Sequence, residues 1–175
     1  QCSACQSGTY ASSAAQTSCS PCPYNAIAPA NSSSSCTPCP TGTFTTAEGQ
    51  TACSPCPAGY FITNATGRLL CLECPEGHVS ASGARNCTAC APGTAADASV
   101  SREACQPCLP GSVAAAASVQ CSACQPGTYQ TPARPDACLP CAQGTVSRRE
   151  YSTACEACPL GYVSPQSAPE CTACD

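Results

Sequence analysis

The chain has 175 residues, 22 of them cysteine, and a net charge of −4 with no lysine. Leu, Ile, Val and Phe together number 16 and there is no Met or Trp, which excludes a fold held by an oily core alone. Six arginines in an acidic chain exclude the clustered cations that nucleic acid demands, and no apolar run approaches the ~20 residues of a membrane span.

From the N-terminus onward the chain is punctuated by Cys-x-x-Cys pairs. They begin at Cys2, Cys19, Cys36, Cys53, Cys71, Cys87, Cys105, Cys121, Cys138, Cys155 and Cys171, in steps of 16 to 18. A period this short marks a tandem array of single supersecondary elements. The expected organisation is one array over 1–175 of about ten 16–18-residue repeats, with units starting near 2, 19, 36, 53, 71, 87, 105, 121, 138 and 155 and a partial one at 171. A start at Gln1 without Met, and an end one residue past a cysteine pair, read as a segment of a larger chain.

Within each unit the third residue after the second cysteine is glycine: Gly8, Gly42, Gly59, Gly77, Gly93, Gly111, Gly127, Gly144 and Gly161, with Asn25 in the second unit. Gly or Asn at a fixed slot predicts a turn that needs φ > 0. Two residues later comes an apolar side chain (Tyr10, Ile27, Phe44, Phe61, Val79, Ala95, Val113, Tyr129, Val146, Val163), which predicts a short extended segment packed on the nearest bridge. The rest of each unit reads as loop. Helical periodicity is absent, and Ala114 to Ala117 offer at most one turn, too short to stand alone. The fold class expected is small and disulfide-rich: an elongated tandem-repeat rod of short β-turn and β-strand units, with little regular secondary structure and no helices of length, each unit touching only its neighbours.

Cysteine at this density points to disulfides and an oxidising, secreted setting. Connectivity is not fixed by sequence. Bridging within each pair would make eleven redox centres. Crossed bridges use pairs two at a time and leave one over. A daisy chain needs no parity, and is the favoured reading: Cys5–Cys19, Cys22–Cys36, Cys39–Cys53, Cys56–Cys71, Cys74–Cys87, Cys90–Cys105, Cys108–Cys121, Cys124–Cys138, Cys141–Cys155 and Cys158–Cys171, with Cys2 and Cys174 paired outside the segment. Three of the four asparagines lie in glycosylation sequons, at Asn31, Asn64 and Asn86. The third has a bridged cysteine as its middle residue, which weakens it.

The unit Cys-x-x-Cys-Pro-x-Gly-Thr-Tyr/Phe resembles the cysteine-rich repeat of ephrin-receptor-like proteins, best at Cys36 to Phe44, Cys53 to Phe61 and Cys121 to Tyr129. It is related in style to the tumour necrosis factor receptor modules. The second unit departs, with Asn25 for Gly and Ala26-Ile27 for Thr-Tyr, and the sixth carries Ala95 in the aromatic slot. The resemblance implies no enzymatic chemistry and no cofactor. It implies an extracellular spacer or protein-interaction segment of a larger cell-surface, matrix or filament-forming glycoprotein, with a ciliary surface or extracellular matrix as settings. A receptor ectodomain binding a protein ligand is the alternative. A multi-zinc protein, with four cysteines to each metal, is a distant one.

The partners expected are other copies of the chain or flanking extracellular proteins, and N-linked glycans with O-linked ones as a further option. Nucleic acid and membrane insertion are not expected. The bulkiest stretch, Gly59 to Leu72, supplies a candidate contact patch of Tyr60, Phe61, Leu69, Leu70 and Leu72, narrowed by a sugar at Asn64. His78, the one histidine, has no second base or nucleophile nearby in sequence, and Arg148-Arg149-Glu150 reads as a solvated loop.

Overall fold

The computed structural model describes residues 4–13, 16–65, 68–99 and 101–174. Among these there is no helix. The chain forms two compact bodies, one of Gln1–Cys74 with Ser80–Cys87 and the other of Pro75–Val79 with Thr88–Asp175. Both are built from one element repeated, a cysteine-closed hairpin loop.

Ten disulfides lie among the described residues, each from the second cysteine of one pair to the first of the next. We number the closed loops repeats 1 to 10, from Cys5–Cys19 to Cys158–Cys171. Partners stand 13 to 15 residues apart along the chain. The two cysteines of a pair therefore serve different loops, one closing its own repeat and the next opening the following one. Cys174 is exposed and unbridged. Cys2 lies outside the described residues.

Every repeat starts with the same turn. In repeat 3 the Thr43 N–H donates to the Pro40 carbonyl at 3.1 Å, and Gly42 between them has φ 86°. That left-handed value at the third turn position is why the slot is glycine. The hydroxyl that follows adds a second donor to the same carbonyl: Thr9 to Gln6, Thr43 to Pro40, Thr94 to Ala91 and Thr128 to Gln125, each at 2.7 Å. The Gly-Thr signature is thus a turn whose carbonyl is bonded twice.

After the turn runs a short strand, such as Thr9–Tyr10, Thr43–Phe44 or Thr145–Val146. Its antiparallel partner is the dipeptide between the two cysteines of the next pair: Ser20–Pro21, Ser54–Pro55 and Glu156–Ala157 in these cases. From Cys19 onward the "x-x" of each Cys-x-x-Cys motif is therefore a strand. Two repeats extend the pattern into longer hairpins: repeat 4, with Tyr60–Ala65 against Arg68–Glu73, and repeat 8, with Thr128–Thr131 against Arg134–Pro140 and a bulge between Tyr129 and Thr131.

One local expectation holds and one changes. Ala114 to Ala117 are not helical: the segment leaves the strand Ser112–Val113 and reaches a left-handed Ala117 at φ 56°. The apolar slot is also not uniformly packed. Val79, Val113 and Val146 are buried, whereas Val163 in repeat 10 is 53% exposed.

Candidate functional site: the joints between repeats and the repeat 4 hairpin

The joint between neighbouring repeats is made largely by backbone. The turn glycine N–H of one repeat donates to a carbonyl of the next: Gly8 to Ala28 at 2.7 Å, Gly59 to Ser80 at 2.9 Å, Gly93 to Ala114 at 2.8 Å and Gly127 to Ser147 at 2.8 Å. A second bond runs the other way. The carbonyl of the cysteine opening one repeat accepts from the next, as in Gly83 N to Cys56 at 2.7 Å, Ala117 N to Cys90 at 2.8 Å and Tyr151 N to Cys124 at 3.0 Å.

Most of these close backbone approaches use small residues. In six repeats the slot just after the apolar one holds buried Ala28, Thr45, Ser80, Ala114, Ser147 and Ser164, whereas repeat 4 has buried Ile62 there and repeat 8 has half-buried Gln130, whose Oε1 accepts from the Gly111 N–H at 3.4 Å. Where it is Ser, the hydroxyl donates back to the preceding repeat: Ser80 to the Tyr60 carbonyl at 2.7 Å, Ser147 to Thr128 at 2.9 Å and Ser164 to Thr145 at 3.1 Å. Satisfying these polar atoms internally is what permits their burial in so dry a joint.

Contact also skips a repeat, against the expectation that each unit touches only its neighbours. A side chain placed on Gly77 of repeat 5 would strike the Ala117 carbonyl oxygen of repeat 7. Gly111 stands likewise against Tyr151, Gly127 against Ser167, and Gly8 against Gly49. At Gly42 the Cβ would lie 2.8 Å from the Gly83 oxygen. The opposing residue is itself left-handed in each case: Ala117, Tyr151, Ser167, Gly49 and Gly83. At these five positions the slot is therefore glycine for two reasons, its φ and the neighbour two repeats on.

Asn25 is the one non-glycine in this slot, at φ 67°. Its N–H donates to Thr45 Oγ1 at 2.8 Å, but its Oδ1 is buried without a hydrogen-bond partner among the described residues. Left-handed strain and an unsatisfied acceptor each cost roughly 1 kcal/mol or more. Asn25→Gly is expected to stabilise the first body by about 1 kcal/mol, read as a higher midpoint in denaturant; a lower midpoint would show that the amide makes a favourable contact after all.

The repeat 4 hairpin divides the bulky residues between two faces. Cross-strand pairs Phe61–Leu72 and Thr63–Leu70 share one face, and Tyr60–Glu73, Ile62–Cys71 and Asn64–Leu69 share the other. Of the five patch residues, Phe61, Leu70 and Leu72 stand together, with Leu70 37% and Leu72 44% exposed. Tyr60 and Leu69 point away from them. The sequon residue Asn64 is on the far side from Leu70 and Leu72, so a sugar there does not cover them. The hairpin is steadied by Arg68, whose guanidinium lies 3.5 Å from the centre of the Tyr24 ring in repeat 2.

Asn31, Asn64 and Asn86 are all exposed. Asn31 Oδ1 accepts from the Ser7 N–H at 2.8 Å. His78 takes the place of the usual turn hydroxyl, and its Nδ1 donates to the Glu76 carbonyl at 2.8 Å. Arg148, Arg149 and Glu150 are exposed. Arg134 Nε donates to Asp136 Oδ1 at 3.2 Å, and this bond, with one from its own backbone, holds the Asp136 carboxyl below its ordinary range. Among the described residues no group of three or more His, Cys, Asp or Glu is placed to hold a metal ion, and no helix is long and apolar enough to cross a membrane.

The family described as tyrosine-protein kinase ephrin type A/B receptor-like matches residues 27–67. This stretch is ephrin-receptor-like. It runs from the strand of repeat 2 into the hairpin of repeat 4 and holds two of the three best sequence matches, Cys36 to Phe44 and Cys53 to Phe61. No curated protein matches the chain. An ephrin-receptor-like segment set in a regular array of ten disulfides is an extracellular, disulfide-rich tandem repeat protein.

Proposed function

We propose that this ephrin-receptor-like array is a non-enzymatic scaffold, a spacer and protein-interaction segment of a larger cell-surface, matrix or filament-forming glycoprotein. The observation that carries the reading is the pairing of a cross-linked framework, jointed largely by backbone, with an apolar hairpin face raised on it, that of Phe61, Leu70 and Leu72. The joints use their polar groups on one another. What remains for recognition is side-chain surface, and exposed leucines side by side on a rigid hairpin are suited to a protein contact. Other copies of the chain, or flanking proteins, are the partners proposed. A surface coat, a matrix or a ciliary filament would use such a face laterally.

The double change Leu70→Ser and Leu72→Ser tests this. Both residues are at the surface, so folding stability should stay within about 0.5 kcal/mol. Burial of a leucine in a contact is worth roughly 1.5–3 kcal/mol, and about 1.4 kcal/mol is tenfold in affinity. Self-association measured by sedimentation should therefore weaken at least tenfold. The matched control is Leu69→Ser, which lies on the opposite face and should leave association unchanged. Equal association in the double variant would refute the contact.

The second reading, a receptor ectodomain segment, is favoured by the ephrin-receptor-like match. It expects a monomer at all accessible concentrations, with the same hairpin face lost from a heterologous contact.

A further inference from the structure

On the other side of the repeat 4 hairpin lies a cleft of about 280 Å³. It is bounded by the repeat 3 turn (Pro40, Thr41), by Asn64 and Leu69 of the hairpin, and by Arg85 of repeat 5. Its walls differ in character. Pro40 and Leu69 are apolar. Among the polar ones, Arg85 Nη2 donates to Thr41 Oγ1 at 3.4 Å, a long bond that leaves the remaining guanidinium N–H groups for another acceptor.

Asn64 is both a wall of this cleft and the acceptor residue of the sequon Asn64-Ala65-Thr66. We infer that the cleft is the seat of the first N-acetylhexosamine of an N-linked glycan on Asn64. The occupant is amphipathic in the way the cleft is. A pyranose has a C–H face that packs on Pro40 and Leu69, and hydroxyl and acetamido groups that accept from Arg85 and exchange hydrogen bonds with Thr41. A volume just below the ~300–1,000 Å³ range of ligand clefts suits one sugar rather than a branched chain. Tethering makes the contact intramolecular, so a weak intrinsic affinity suffices to hold it.

Attachment joins the anomeric carbon of the oligosaccharide to Asn64 Nδ2. It breaks that carbon's bond to the diphosphate of a lipid-linked donor and releases one amide proton. The remainder of the glycan leaves the cleft on the face opposite Leu70 and Leu72. Asn31 is exposed too, but it does not line this cleft.

The test is made on protein secreted from a eukaryotic host, with occupancy read site by site by mass spectrometry. The rate at which a peptide N-glycosidase releases the sugar from the native protein is then followed at Asn64, with Asn31 as reference. The expected results are an occupied Asn64 and, in Arg85→Ala, release from Asn64 at least about fivefold faster than in the wild type, with release at Asn31 unchanged. Thr66→Ala should abolish the Asn64 product and serves as the assignment control. An unmodified Asn64 in wild-type protein overturns the inference. So does equal release from Asn64 in wild type and Arg85→Ala, which would place the sugar in free solvent.

Discussion

Gly77→Ala and Gly111→Ala should each destabilise the second body by about 3–5 kcal/mol, whereas Gly144→Ala should cost only about 1–2 kcal/mol. All three glycines sit in the same turn at φ between 73° and 79°, so an added methyl imposes the same left-handed penalty of about 1–2 kcal/mol at each. The difference lies two repeats away. At Gly77 the methyl would occupy the place of the Ala117 carbonyl oxygen, and at Gly111 that of Tyr151. At Gly144 nothing stands within 4 Å. Forcing the opposing carbonyl aside adds an overpacking cost of roughly 1–3 kcal/mol. It also strains the bond from Ala117 N to Cys90 O, or from Tyr151 N to Cys124 O, worth about 1 kcal/mol each. Denaturant midpoints of the three variants decide the matter. Equal losses at all three would mean that only the turn conformation matters and that the skip-one contacts contribute nothing.

The largest expected effect is that of reduction. The buried set in this chain is unusual: Cys5, Cys22, Cys56, Cys90, Cys124 and Cys141 are its most regular members, accompanied by Ala28, Ile62 and a few valines. Apolar burial on this scale cannot offset the conformational entropy of ordering a chain of this length. A loop of about 15 residues closed by one bridge gains ~3 kcal/mol through restriction of the unfolded chain. Ten such loops set an upper bound near ~30 kcal/mol, since neighbouring bridges are not independent. Once they are cut, most hairpins are left with two-residue strands, far below what an isolated hairpin needs in water. Cooperative loss of both bodies should follow, not a stepwise loosening.

Much of this was legible in the sequence, for a physical reason. A glycine at a left-handed turn position and a cysteine at a bridge position have few substitutes, so both stand out without an alignment. Residues 27–67 show how far that goes, since the Cys-Pro-x-Gly-Thr pattern read there coincides with the matched family. The joints were harder to read. Their key slot accepts Ala, Ser or Thr, as at Ala28, Ser80 and Thr45, and small polar residues are common in loops for other reasons. The signal was present as an absence of bulk one residue after most apolar positions, with Ile62 and Gln130 as exceptions. The second left-handed position carries no fixed type at all. Ser32, Ala117, Tyr151 and Ser167 all occupy it, because its backbone does the packing and its side chain does not. That is also why the glycine slot looked like a turn requirement alone. The patch at Gly59 to Leu72 was visible as bulk, but period-two alternation splits it, so that Leu69 and Leu70 cannot serve one surface.

Hydrogen exchange of the oxidised and the reduced protein, followed by mass spectrometry under native buffer, tests the central claim most directly. In the oxidised chain the inter-repeat N–H groups of Gly59, Gly83, Gly93, Ala117, Gly127 and Tyr151 should be protected. After reduction and alkylation they should all exchange at the rates of an unstructured peptide. Protection retained in the reduced chain would contradict that claim, because something other than the disulfides would then hold the framework.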